Sequence, residues 1–297
     1  MIISQILGGL GNQMFQYAAG RALALERGQH LLQDISGFKG FAEIMVPREF
    51  ELDRVFNISG EIATETEVRK ILGRQFPFQI QRILAKSFMA VFRCRGFVVE
   101  PHAHYWPGIK KVPRDCYLYG YWQSEKYFNE VAPVIRADFR FKSPLTGKNA
   151  DFAAQMGQVN AVSLHVRRGD YVTNPKTMAM HGLCSIDYYQ AAIGYIVERV
   201  EQPCFFIFSD DISWVKEHLK INFPCQYVSH NCGTESYNDM HLMSLCRHHI
   251  IANSSFSWWG AWLNPREDKI VVAPQNWFAN NMNNNIKDRF PCGWVLL

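Results

Sequence analysis

The sequence has no uncharged apolar run long enough to cross a bilayer, and it has no basic start followed by a long apolar core. The first absence argues against a transmembrane helix, and the second argues against a secretion signal. The chain begins with MIISQILGG, a pattern typical of a first β-strand. The sequence therefore predicts a cytoplasmic protein.

A strong charge of one sign is also absent. The net charge of +4 permits an anionic ligand but does not indicate a nucleic-acid partner. The eight cysteines form no small-domain disulfide framework, and their spacing to nearby histidines matches no common zinc site. We therefore expect reduced thiols, no metal cofactor and no nucleic-acid partner.

Two well-known ligand signatures are incomplete. The stretch LGGLGNQMFQ (7–16) has Gly9 and Gly11 in a G-x-G arrangement, but Met14 stands where the dinucleotide fingerprint has its third glycine. This argues against an NAD-dependent oxidoreductase. The stretch SDD (209–211) is not a D-x-D pair and has no third hard ligand beside it, which disfavours a metal ion. Asp211 is instead predicted to cap a helix and to contact a ligand.

The C-terminal half alternates between strand and helix patterns. Short apolar runs predict strands, and apolar residues at helical spacing predict helices between them. The strands are predicted at residues 161–165, 204–209, 225–229, 249–253 and 269–273, and the helices at 185–200, 211–219, 236–246 and 255–263. This alternation favours a parallel, doubly wound sheet.

The N-terminal half begins in the same way. It is predicted to contain strands at 2–7, 30–34 and 116–122 and a helix at 13–27. The region 37–115 is harder to assign. A polar stretch with proline and glycine at 140–149 marks a boundary, so we predict one domain at 1–145 and a second at 146–297. The expected fold class is α/β, with two Rossmann-type domains, a cleft between them and ligands at the carboxyl ends of strands.

The stretch HVRRGDYV (165–172) places charge directly after a predicted buried strand. Arg167 and Arg168 present rigid forks of donors that match phosphate oxygens in pairs. Ordinary surface salt bridges are the alternative for two adjacent arginines. The position at the carboxyl end of a strand favours a phosphate site.

Two strand-to-helix turns also suit an anion. In LGGLGNQMFQ, glycines let a backbone approach a ligand at a helix N-terminus, and Asn12 and Gln13 add side-chain donors. The alternative there is a tight turn with Asn12 as the helix cap. In NSSFSWWGAW (253–262), Ser254 and Ser255 precede a helix whose first N–H groups form an anion site. The tryptophans of that helix have helical spacing and are predicted to lie in the core.

Several motifs follow one another along the chain: GGLGNQMFQYA (8–18), GYWQSEKYF (120–128), HVRRGDYV (165–172), FSDD (208–211), DMHLMSLCRHHIIANSSFSWWGAWL (239–263) and NWF (276–278). With these motifs the chain resembles the bacterial α-1,2-fucosyltransferases, which share a family with the animal H-antigen enzymes. The resemblance implies a GT-B-like enzyme that transfers L-fucose from GDP-β-L-fucose to the 2-hydroxyl of a terminal β-galactose, with inversion and without a metal. The acceptor would be a galactose-terminated glycan or a lipid-linked oligosaccharide, on the side of the N-terminal domain.

The resemblance also implies roles for particular residues. Arg167 would hold the β-phosphate, with Arg168 beside it. His165 would lie near guanine, Asp239 would bind the guanine edge, and Ser255 would touch phosphate. The donor-binding residues are predicted to be His165, Arg167, Arg168, Asp239, Ser254, Ser255, Gly9, Gly11, Asn12, Gln13 and Asp211. The catalytic residues are predicted to be Arg167, Asp170 and Asn12.

Inversion requires attack from the face opposite the leaving group, often with a general base. Asp170 is the first candidate for this base, although it could simply orient Arg168. His181 and Asp34 are further candidates. Departure of GDP builds charge on the β-phosphate, and Arg167 would match that charge better in the transition state than in the ground state.

Other functions stay open at this stage. One is another nucleotide-sugar glycosyltransferase, and another is a non-catalytic carbohydrate-binding protein. The arginine pair and the glycine turn argue against the second, because lectins rarely need a phosphate site.

The stretch at residues 68–99 is basic and contains no acidic residue. Aromatic and aliphatic residues interleave with its lysines and arginines, which predicts a basic helix in weak peripheral contact with the inner face of the plasma membrane. The alternative is that these apolar residues pack into the core of the N-terminal domain.

Overall fold

The computed structural model describes residues 1–41, 48–279 and 287–297; for residues 39–41 and for Asp170 it describes the backbone alone. The chain divides into two compact units, Met1–Lys142 with Lys287–Pro291 and Ser143–Ile286 with Cys292–Leu297. The sequence places the boundary after residue 145 and assigns the whole of 146–297 to the second domain. The return of Lys287–Pro291 to the first unit has no signature in the local pattern, because it depends on tertiary contacts.

The first unit contains a parallel sheet of five strands flanked by helices. Its strands are β1 Ile2–Gln5, β2 Leu31–Asp34, β3 Glu61–Ile62, β4 Phe97–Val99 and β5 Cys116–Tyr119. Its helices are α1 Leu10–Glu26, α2 Ser36–Phe41, α3 Leu52–Val55, α4 Glu65–Leu72, α5 Phe78–Leu84 and α6 Ala132–Asp138, with 3₁₀ helices at Gly73–Gln75, Ser87–Phe92, Pro107–Lys111, Glu125–Tyr127 and Asn129–Val131. The strand order is β3-β2-β1-β5-β4, and the pairs are parallel.

The second unit contains a parallel sheet of six strands. Its strands are β6 Asn160–Val166, β7 Pro203–Ser209, β8 Cys225–Val228, β9 His248–Ile250, β10 Val271–Ala273 and β11 Val295–Leu296. Its helices are α7 Gly147–Gln158, α8 Gly169–Thr173, α9 Pro175–His181, α10 Ile186–Val197, α11 Ile212–His218, α12 Tyr237–Leu245 and α13 Ser255–Leu263, with a 3₁₀ helix at Gly233–Glu235. The strand order is β11-β10-β9-β6-β7-β8, again parallel throughout.

The alternating pattern predicted for the C-terminal half is confirmed. Each predicted strand and helix there has a counterpart, and the Ser185 hydroxyl caps α10 by accepting the N–H of Tyr188 at 3.1 Å. The prediction that the tryptophans of α13 lie in the core is also confirmed, because Trp258 and Trp259 are fully buried. Large apolar side chains on both faces explain why this sheet is parallel and covered on both sides.

The prediction of one basic helix within residues 68–99 is wrong. Helix α4 ends at Leu72 because Gly73 adopts a left-handed φ of 56°, and the next α-helix starts only after Pro77. The segment continues through the 3₁₀ helix Ser87–Phe92 into strand β4. None of the described helices is long and apolar enough to cross a membrane.

Each sheet has a point where the strand order reverses. In the first unit the chain runs outward from β1 through β2 to β3. The later strands lie on the other side of β1, with β5 next to β1 and β4 beyond it. In the second unit the same reversal lies between β6 and β9. Ligands of doubly wound sheets bind at the carboxyl ends of the strands at such reversals. The segments after β1, β5, β6 and β9 are therefore the candidate ligand-binding segments.

Candidate functional site

Strands β9, β6, β7 and β8 lie side by side, so the segments that follow them share one edge of the second sheet. That edge brings together most of the residues predicted from HVRRGDYV, SDD and NSS. The arginine pair follows β6 and the two serines follow β9, on either side of the reversal. Residues far apart in sequence thereby become neighbours around one candidate site.

The two arginines are matched by the two aspartates of SDD. Arg167 Nη1 lies 2.7 Å from Asp210 Oδ2, and Arg168 Nε lies 3.2 Å from Asp211 Oδ2. The guanidinium of Arg168 also stacks on Trp214 at 3.6 Å from the ring centroid. Both arginines therefore form salt bridges, and both lie at the end of the strand.

The two aspartates have different tasks. Asp211 caps α11, because its Oδ1 accepts the N–H of Trp214 at 3.1 Å, as the sequence predicts for a cap. Asp210 was not among the predicted residues, yet its Oδ1 accepts the backbone N–H of Arg168 at 2.8 Å while its Oδ2 holds Arg167. The carboxylate of Asp210 thus sets the position of the segment after β6. In the sequence, only its position beside Asp211 in SDD could have pointed to Asp210.

Gly169 leaves the space that Asp210 occupies. A Cβ at this position would lie 2.4 Å from Asp210 Oδ2, so Gly169→Ala should displace the carboxylate and disturb both of its bonds. We expect kcat/KM to fall roughly 10–100-fold, the cost of one lost charge-assisted hydrogen bond. Steady-state kinetics measure this, with Gly194→Ala as the control because a Cβ there meets nothing within 4 Å. Equal activity of the two variants would contradict the role of Asp210.

His165 is a buried, neutral imidazole near the end of β6. Burial, and next the charge of Arg167, lower the pKa of His165 to about 3. Its Nδ1 is buried and has no hydrogen-bond partner among the described residues. Its ring lies 6.0 Å from that of Phe256, in the first turn of α13. An unpaired buried nitrogen costs free energy, which a polar atom of a bound ligand would recover.

Asp239 lies in the first turn of α12, after β8. Burial raises the pKa of Asp239 to about 7, and the amide of Asn231, which donates to Oδ1 at 2.7 Å, only partly opposes this. Asn231 is itself held by Asn149, which also bonds to His230. A carboxylate with this pKa changes its charge near neutral pH. The affinity of a ligand that binds only one of its two forms will therefore depend on pH.

The segment after β9 is held by side chains that the sequence did not single out. The Asn253 amide donates to the carbonyl of His181 at 2.9 Å and to that of Trp277 at 3.3 Å, and the Tyr171 hydroxyl donates to the Asn253 carbonyl at 3.2 Å. Ser254 Oγ caps α13 by accepting the N–H of Phe256. The N-terminus of α13, which begins at Ser255, is thereby fixed next to the segment after β6.

The candidate bases have different surroundings. Asp170 lies in α8, but its side chain is outside the described part of the structure. His181 ends α9 and stacks on Tyr171, with ring centroids 5.0 Å apart. In the first unit, the buried Asp34 accepts the Tyr117 hydroxyl at 2.6 Å and the N–H of Ser36 at 2.8 Å. These bonds hold the start of α2, which gives Asp34 a structural task.

In the first unit, the glycine turn leads into α1 earlier than predicted. Gly8 has a left-handed φ of 79°, Gly9 is the N-cap and Gly11 is already helical. The alternative that Asn12 caps this helix is therefore wrong. Gln13 donates to the carbonyls of Gly8 at 2.8 Å and of Glu49 at 2.7 Å, so its amide fastens the turn to a later segment.

Asn12 belongs to a chain of polar side chains at the reversal between β1 and β5. Its Oδ1 accepts the amide of Gln123 at 2.7 Å, and Gln123 Oε1 accepts a guanidinium N–H of Arg289. Gln123 lies in the motif GYWQSEKYF, but Arg289 had no sequence signal because only tertiary structure returns its segment to this unit. The described residues contain no group of three or more His, Cys, Asp or Glu side chains placed to hold a metal ion.

Two doubly wound sheets, with paired arginines and a capped helix N-terminus at one reversal, are compatible with a glycosyltransferase. The chain belongs to glycosyl transferase family 11, whose model matches residues 3–297. The family resemblance is therefore confirmed.

Named relatives differ in their sugars. The chain is 37% identical to an α-1,2-colitosyltransferase of Escherichia coli over 99% of this chain and 98% of that protein. It is 25% identical to the galactoside 2-α-L-fucosyltransferase SEC1 of Bos taurus over 86% of this chain and 62% of that protein. The chain is also similar to a crystal structure of the fucosyltransferase NodZ from Bradyrhizobium. The match covers 91% of this chain and 94% of the NodZ chain, with a TM-score of 0.53 and 14% identity. This likeness confirms the GT-B-like fold.

Proposed function

We propose that this protein is an inverting α-1,2-fucosyltransferase that needs no metal. It would transfer L-fucose from GDP-β-L-fucose to the 2-hydroxyl of a terminal β-galactose, in a glycan or a lipid-linked oligosaccharide, in the cytoplasm. The observation that carries the proposal is the arginine pair at the carboxyl end of β6, beside the N-terminus of α13. Fixed cations and backbone N–H groups are what a departing diphosphate needs.

The donor would lie along the edge of the second sheet. Its β-phosphate would contact Arg167 and the N-terminus of α13 at Ser255. Its guanine would reach Asp239, which follows β8. Strands β6 and β8 are two strand spacings apart, or about 10 Å, a separation that the ribose and α-phosphate can bridge. His165, near the end of β6, would lie along this path, and its unpaired Nδ1 would bond to the nucleotide.

Transfer then needs one displacement. The acceptor oxygen attacks C1 of the sugar from the face opposite the diphosphate, and the C1–O bond breaks with its electron pair passing to the β-phosphate. Arg167 stabilises the charge that develops there. Asp210 keeps the guanidinium in place before the donor arrives. The hydroxyl proton passes to a base, for which Asp170 is our first candidate because it lies two residues after Arg168.

A second donor deserves an equal test. The names α-1,2-colitosyltransferase and galactoside 2-α-L-fucosyltransferase share transfer to position 2, but the more similar of these two relatives is named for colitose. Colitose is L-fucose without the 3-hydroxyl, so the two GDP-sugars present the same base, diphosphate and leaving group. The described site residues would contact the shared part, so they do not distinguish the two sugars and the assay decides between them.

We expect transfer to continue in excess EDTA, because Arg167 and the α13 N-terminus supply the charge that a metal would otherwise provide. The purified protein is incubated with GDP-fucose or GDP-colitose and a panel of galactosides, and the product linkage is determined by NMR. An α-1,2-fucosyl galactoside supports the proposal. If product forms from GDP-colitose alone, colitose replaces fucose as the transferred sugar in the proposal. Activity that disappears in EDTA and returns with Mg²⁺ or Mn²⁺ would refute metal independence.

A further inference from the structure

The segment from α5 to β4 divides its apolar side chains into two sets. Phe78 and Leu84 point inward and are almost fully buried, so part of the segment packs into the first unit, as the alternative prediction held. The second set is exposed on the surface: Ile83 (52%), Phe88 (73%), Val91 (84%) and Phe92 (62%). These four side chains, called here the apolar ridge, lie within ten consecutive residues, far more concentrated than the scattered apolar residues of an ordinary surface.

The charges of the segment that carries the apolar ridge have one sign. Residues 68–99 include seven lysines and arginines and no aspartate or glutamate. Lys86 lies between two members of the ridge, and Arg95 follows it; both are exposed. Arg93 has a different task, because its guanidinium donates to the carbonyls of Leu84, Ala85 and Lys86 and so closes the end of α5.

We propose that the apolar ridge inserts into the interface of an anionic lipid bilayer, with Lys86 and Arg95 binding the lipid headgroups. The side chains project outward rather than line a groove, which suits a deformable lipid surface. The absence of acidic residues makes the segment complementary to a negatively charged membrane. Lipid attachment would combine apolar insertion with electrostatic attraction, so it should weaken as salt rises. This inference is independent of the donor and acceptor proposed above.

The test is co-sedimentation of the full chain with vesicles of phosphatidylcholine alone or mixed with phosphatidylglycerol, at low and high salt. We expect binding to the anionic vesicles at low salt and release at high salt. Lys86→Gln with Arg95→Gln should lower the partition coefficient roughly thirtyfold. Phe88→Ser, Val91→Ser and Phe92→Ser together should lower it at least as much, because they remove most of the inserted apolar area.

Matched controls come from the second unit. Phe223→Ser with Leu245→Ser removes exposed apolar residues there, and Lys216→Gln with Lys220→Gln removes exposed charges. Both controls should bind vesicles like the wild type. The variants of the segment 83–95 should keep the wild-type melting temperature, since their altered side chains are exposed. The proposal is overturned if the wild type does not bind anionic vesicles at low salt. It is also overturned if the wild type binds no better than the charge variant (Lys86→Gln with Arg95→Gln) or the triple serine variant of the ridge. A protein partner for the ridge would give the first of these results.

Discussion

Replacing Arg167 with lysine is expected to lower kcat by roughly 10²–10³-fold without unfolding the protein. Lysine keeps the positive charge but loses the planar fork that can bond to Asp210 and to a phosphate at the same time. The loss should appear in kcat more than in KM, because the β-phosphate gains charge only as the sugar departs. The side chain lies beyond the end of β6, so the core should be unaffected.

The control for this variant is Arg199→Lys. Arg199 also bonds to a carboxylate, Glu198 at 2.8 Å. Its guanidinium lies 3.7 Å from the ring centroid of Tyr195, and that of Arg167 lies 5.5 Å from the ring centroid of Tyr171. Arg199 follows α10 and is not part of the edge that carries the candidate site. We expect this variant to keep wild-type kinetics. If Arg167→Lys also retains a kcat within about threefold of the wild type, well below the expected cost of losing a transition-state donor, Arg167 does not stabilise the leaving group.

Replacing Asp239 with asparagine is expected to weaken GDP-fucose binding roughly 10–100-fold at pH 8, the cost of losing a charge-assisted hydrogen-bonded contact. The ionised carboxylate can accept two N–H groups of guanine, whereas an amide cannot accept both. Since burial raises the pKa of Asp239 to about 7, wild-type affinity should rise as pH increases through 7. The variant should show no such rise.

Calorimetric titration with GDP-fucose between about pH 5.5 and 8 measures this dependence, because the bridging diphosphate of a GDP-sugar does not itself titrate in that range. His230 stays neutral above pH 7, since burial and the nearby Lys148 lower its pKa. Asp187→Asn, an exposed change in α10, controls for net charge. A parallel pH dependence in the wild type and Asp239→Asn would remove Asp239 from guanine recognition.

The same group predicts a change in stability without ligand. The folded-state pKa of Asp239 lies above the ordinary carboxyl value, so the folded chain holds this proton more tightly than the unfolded chain. The stabilising contribution is fully present below the ordinary carboxyl pKa of 3.8 and is lost progressively as pH rises from there to about 7. Relative to Asp239→Asn, the free energy of unfolding of the wild type should therefore fall over that interval.

Local pattern was sufficient for the architecture of the C-terminal half. Strands such as β6 and β7 are long apolar runs, and α10 has both a serine cap and an amphipathic repeat, so each element could be recognised on its own. The arginine pair was found for the same reason, since its position after β6 follows from sequence alone. Hydrogen bonding and burial within a few residues determine these features.

Patterns that mix two roles could not be resolved in this way. The stretch 68–99 reads as one amphipathic helix, but Gly73 and Pro77 interrupt it, and only packing shows that Leu84 faces inward while Phe88 faces outward. The regular spacing of apolar residues says that one face will be covered. It does not say whether that face is covered by the protein's own core or by something else, such as a lipid bilayer.

The partners of the site residues were decided by tertiary structure alone. Asp210 meets Arg167 because β6 and β7 pair in parallel, and Gln123 meets Asn12 because β5 pairs with β1. Arg289 joins them only because the chain returns to the first unit near its end. A sequence shows which residues can donate or accept. Which of them meet depends on strand order and register, and those are set by the burial of whole sheet faces, summed over many weak contacts.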